Sequence, residues 1–70
     1  MIRFTLPEGG NVRIRLFDRL GQEVRTLADR WFEEGVQGVG FSVHDLASGL
    51  YFYEIETSSG TSRGSMVLAR

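Results

Sequence analysis

Apolar residues recur at every second position along most of this chain. Ile2, Phe4 and Leu6 alternate with Arg3 and Thr5, and Val12, Ile14 and Leu16 alternate with Arg13, Arg15 and Phe17. Val39, Phe41 and Val43 stand against Gly40 and Ser42. Tyr51, Tyr53 and Ile55 stand against Phe52 and Glu54, and Met66 and Leu68 against Val67. Successive side chains of a strand point to opposite faces, so this alternation predicts a series of half-buried strands.

Turn-forming residues separate the runs. Pro7 to Gly10 and Asp18 to Gly21 punctuate the first half, and Ser58 to Gly60 joins the last two strands. Gly21 takes a positive φ without steric penalty, as a short hairpin loop requires. The stretch from Gln22 to Gly35 is less regular. Val24, Leu27 and Trp31 have helix-like spacing, but the run is short. It reads better as an edge strand over "EVRTL" with a bulge at Thr26, followed by a loop holding Trp31 and Phe32. A helical turn within residues 28–34 stays open as an alternative.

The segment "LASGLYFYEIE", from Leu46 to Glu56, concentrates aromatics after a Ser-Gly turn. Leu46, Gly49, Tyr51, Tyr53 and Ile55 fit a tyrosine corner, in which a tyrosine opening a strand hydrogen-bonds to backbone a few residues upstream. Tyr51 is the corner residue, and both tyrosines are assigned to the core. With six to seven short strands, the pattern predicts an all-β, immunoglobulin-like antiparallel β-sandwich forming one domain over residues 1–70. Phe52 falls on the opposite face, near Leu50 and Phe17. Phe17 and Phe52 form a candidate exposed apolar patch, read either as a docking surface or as ordinary partial exposure. With Val67 exposed as well, a homodimer is an open reading.

Composition narrows the function classes. The formal net charge of -1 argues against a nucleic-acid module, which carries a basic face. The chain has no cysteine, which excludes disulfides and thiolate metal sites. No apolar run approaches the ~20 residues of a membrane span, and the first ten residues lack the apolar stretch of a signal peptide. His44 is the one histidine, beside Asp45 and near Ser48. Neighbours in a turn point their side chains apart, so no catalytic triad is expected, and no metal or cofactor site either. "GVQGVG" is read as strand rather than phosphate loop, because no helix follows it. Arg13 and Arg15 are placed to pair with Glu54 and Glu56 across a sheet.

The ordered set of motifs resembles a known family. Leu6-Pro7 ends the first strand, and Asp18, Gly21 and Val24 follow at Asp-x-x-Gly-x-x-Val spacing. Gly35 leads a strand, then come Leu46, Gly49, Tyr51 and Tyr53, and Met66, Leu68 and Arg70 close the series. This looks like the C-terminal sorting domain of bacterial proteins exported by the type IX secretion system, related to the Ig-like domain of the flagellar hook-cap protein. The resemblance covers almost the whole chain. It departs from the family in lacking a Pro-Asn-Pro-Phe-like leader, which suggests a trimmed domain. It also has Ser65 where a lysine is usual and Ala47 where a proline is usual.

The resemblance implies a non-catalytic address on a larger exported protein. Its partners would be an outer-membrane translocon and a sortase-like peptidase. Its route would pass through the periplasm to the cell surface or the medium. The strand from Thr61 to Arg70, with Met66, Val67, Leu68 and Arg70, is the candidate for recognition by strand addition. Two other readings are a structural Ig-like module of a hook-cap or adhesin-type protein, and a stand-alone or engineered small β-domain.

Overall fold

The computed structural model describes residues 1–42 and 44–69. Its six strands are β1 (Ile2–Leu6), β2 (Gly10–Asp18), β3 (Glu23–Phe32), β4 (Gly35–Val39), β5 (Gly49–Thr57) and β6 (Gly60–Leu68). They form two antiparallel sheets, one with order β3-β2-β5-β6 and one with β1 paired to β4. The result is the all-β sandwich that the alternation predicts.

The inner faces meet through the predicted residues. Val12, Ile14 and Leu16 are almost completely buried in the middle of the larger sheet. Ile2, Leu6 and Val39 of the smaller sheet pack in one cluster with Val12 and Ile14, together with Phe32 and Ile55 of the larger sheet. Phe4 meets Phe32 edge-on, with ring centroids 5.3 Å apart. A second cluster of Leu16, Leu46 and Tyr51 closes the far end, where Leu27, Met66 and Leu68 pack against it.

β3 corrects the sequence reading. It runs through Trp31 and Phe32 rather than ending before them, and residues 28–34 contain no helical turn. Phe32 pairs with Gly10 at the start of β2 and is a core residue, whereas Trp31 is exposed. The register against β2 slips twice, leaving Leu27 and Val24 without opposite partners, so the bulges flank Thr26 instead of falling on it.

The strand expected over Val39 to Val43 is also displaced. β4 is Gly35–Val39, and residues 40–42 lie outside any strand. Its ladder with β1 ends at the Ile2–Val39 pair, and Gly40 to Ser42 turn out of the strand. Phe41 is half-buried and still packs on the core. Val43 lies outside the described residues.

The β2–β3 loop is built by Asp18. One of its carboxylate oxygens accepts hydrogen bonds from the amides of Leu20 at 2.9 Å and Gln22 at 3.0 Å. Its carbonyl accepts the Gly21 amide at 3.0 Å, and Gly21 takes a φ of 83°. Asp18 and Gly21 are therefore a matched pair: the carboxylate ties the loop, and the glycine supplies the turn.

Candidate recognition surface

The two edges of the larger sheet differ in how open they are. β3 carries two bulges and the charged residues Glu23, Arg25, Asp29 and Arg30. Bulges and charges are the usual devices that stop an edge strand from pairing with another chain. β6 has neither protection to the same degree. Its nine residues pair with β5 without a register shift, contain no proline, and include one charge, Arg63.

The hairpin geometry fixes which backbone groups β6 offers. Thr57 pairs with Gly60 across a two-residue turn, which makes that pair a hydrogen-bonded one. Alternation then turns the N–H and C=O groups of Thr61, Arg63, Ser65 and Val67 away from β5. These groups have no partner strand among the described residues, since β6 ends the strand order.

The candidate recognition residues divide by face. Met66 and Leu68 are half-buried and anchor β6 to the core. Val67 points outward and is 73% exposed. Arg70 lies outside the described residues. Inward packing thus anchors the strand while its outer side stays accessible.

Tyr53 and Gly64 form a feature the alternation alone does not reveal. They are cross-strand partners, and a Cβ at position 64 would lie 2.4 Å from the Tyr53 ring carbon Cζ. The ring lies across the glycine, covering backbone that would otherwise lack a side chain. Counting back from a turn at Ser58–Ser59 does pair position 53 with 64, so the signal was the hairpin register.

The outer face of β2, β5 and β6 has a charged half and an apolar half. Glu54 receives Arg15 on one side and Arg63 on the other, the latter at 3.0 Å. Arg13 meets Glu56 at 2.8 Å. Both predicted arginine–glutamate pairings are present. Arg15, then Arg63, hold the Glu54 carboxyl below its ordinary pKa, and Glu54 in turn raises that of Arg15. At the other end Phe17 lies opposite Phe52, and Leu50 opposite Val67. Phe52 is 40% exposed and Phe17 half-buried, and with Gly21 and Arg63 they line a shallow hollow.

The tyrosine corner is present. The Tyr51 hydroxyl donates to the Ala47 carbonyl at 2.8 Å, and Leu46 and Tyr51 are buried together. Gly49 opens β5 just before it. Tyr53 is half-buried and packs on both core clusters.

His44, Asp45 and Ser48 are all exposed. The Asp45 carboxylate is engaged by Arg25, both oxygens at 2.6 Å, and Arg25 also donates to the Ser42 carbonyl at 2.7 Å. Arg25 holds Asp45 below its ordinary pKa. This clamp ties the β4–β5 connection to β3, and the sequence reading missed it. No cluster of three or more potential metal ligands occurs among the described residues. No helix there is long and apolar enough to cross a membrane.

A family model described as a secretion system C-terminal sorting domain matches residues 1–69. No curated protein and no solved structure gives a match.

Proposed function

The chain belongs to the family of secretion system C-terminal sorting domains, those of type IX secretion, and from that membership we propose how it is read. Domains of this family mark their proteins for export to the cell surface or the extracellular space. The domain is the folded address of a larger cargo. It crosses the periplasm attached to that cargo, and an outer-membrane translocon recognises it through the β6 edge. A sortase-like peptidase then removes it. The chain itself performs no chemistry.

One observation carries this reading: β6 is a nine-residue edge strand without bulge or proline, whereas β3, at the opposite edge of the sheet, has both bulges and charges. An extended partner segment can add to such an edge, gaining affinity from main-chain hydrogen bonds and specificity from alternate side chains. Val67 and Phe52 provide apolar contacts beside one end of that edge, and Arg63 a charged contact near its middle. The resemblance expects a lysine where this chain has Ser65, so no charge-read step at that position is part of the proposal. Kinship with the hook-cap Ig-like domain belongs to the same proposal and is supported by the tyrosine corner at the start of β5.

The test is export of a reporter. A periplasmic reporter carrying the domain at its C-terminus is expected to leave cells with an active type IX system and to stay inside cells lacking it. Retention in both overturns the proposal.

A further inference from the structure

We propose that the free domain self-associates through β6, two copies pairing antiparallel about a two-fold axis at Gly64. The two four-stranded sheets then join into one continuous sheet. The sequence of β6 is self-complementary in this arrangement. Full overlap of the nine-residue strand sets Thr61 opposite the second copy's Val67, and Arg63 opposite the second copy's Ser65. All the outward-facing backbone groups find partners, in about eight hydrogen bonds at two per hydrogen-bonded pair.

Alternative registers are poorer. A slip of two residues one way sets Arg63 opposite its own copy, and like charges directly opposite are destabilising. A slip the other way carries Thr61 past the end of the second copy's strand and shortens the ladder. The full-overlap register instead sets each Arg63 opposite an uncharged serine, and Glu54 of its own chain, 3.0 Å away, partly offsets the arginine in any register. With a net charge of -1 per copy, long-range repulsion is slight.

The inner face also fits. Gly64 meets its own copy at the axis, and Met66 lies opposite the second copy's Ser62, so no bulky pair collides. The other edges are less suited. β3 is bulged and charged, and β1 and β4 have five residues each. The consequence for export rests on the reading of β6 as the recognised strand: the dimer covers that strand, and dissociation must precede recognition.

Sedimentation velocity of the purified 70-residue chain tests the proposal, over about 1 to 500 µM. A reversible, concentration-dependent dimer is expected. Ser65→Arg sets arginine against Arg63 of the second copy and should weaken the dimer about tenfold or more. Ser65→Glu sets a carboxylate there and should tighten it, which keeps the test informative if the arginine variant folds poorly. A monomer across the whole range overturns the proposal. So does a dimer indifferent to both Ser65 variants, or one lost only in Phe52→Ser, which would place contact on the outer face. Reporter export is measured separately, so failure here leaves the sorting role standing.

Discussion

The phenol of Tyr51 reaches back four residues to the carbonyl of Ala47. This bond closes the turn that leads into β5, a central strand of the larger sheet. It sits over Leu16 and Leu46, so the corner couples a polar contact to the second core cluster. Tyr51→Phe keeps the ring and removes the bond. It is expected to lower stability by about 1 kcal/mol, the usual net worth of one hydrogen bond, because Ala47 is an exposed residue and the bond it loses is only part-buried. Urea denaturation of the two proteins measures it.

Gly64 is expected to resist substitution. An added methyl would run into the Tyr53 ring, with the hydroxyl oxygen at 2.3 Å and a ring carbon at 2.7 Å from the new Cβ. Gly64→Ala should therefore lower stability by about 1–3 kcal/mol, as overpacking does. In a Tyr53→Ala background the same change should lose most of its effect. Equal losses in both backgrounds, read by urea denaturation, would show that the ring is not responsible.

Acid should weaken the fold through Glu54 and Asp45. Their arginine partners hold both carboxyls below the ordinary value, so the folded chain binds these protons less readily than the unfolded one. The stability they contribute is present above the unfolded-chain pKa and is lost as pH falls through the folded values. Arg15, raised by Glu54, stays charged throughout this range. Urea midpoints are expected to hold from pH 7 to about 5 and to fall below about 4. Glu54→Gln should flatten part of that fall, and an unchanged acid profile in this variant would contradict the assignment.

The fold was legible where alternation is unbroken. Val12, Ile14 and Leu16 alternate strictly, and all three are core. Tyr51 announced its corner through the turn before it. β3 was misread because its two bulges shift the phase of the pattern, so Trp31 and Phe32 lost their strand signature. What holds them in the strand is tertiary: β2 extends back to Gly10, which pairs with Phe32. β4 failed differently. Phe41 continues the alternation and still packs on the core, but the ladder with β1 ends at the Ile2–Val39 pair.

The surface was legible in its charges and incomplete in its edges. Arg13 and Arg15 faced Glu54 and Glu56 as alternation implied. The openness of β6 depends on strand order, and the sheet's central pairing of β2 with β5 joins strands distant in sequence. The Arg25–Asp45 clamp is likewise a contact across 20 residues, with no local signal in either segment.

Recognition through the β6 edge is tested most directly by removing one outward N–H from each edge of the larger sheet in the reporter fusion. Ser65→Pro does so on β6 while sparing the β5 ladder, and Asp29→Pro does so on β3. Thermal melts of the two variant domains confirm that both fold. The expected result is that the Ser65→Pro fusion stays inside type IX-competent cells while the Asp29→Pro fusion is exported. Equal export of two folded fusions would contradict the account.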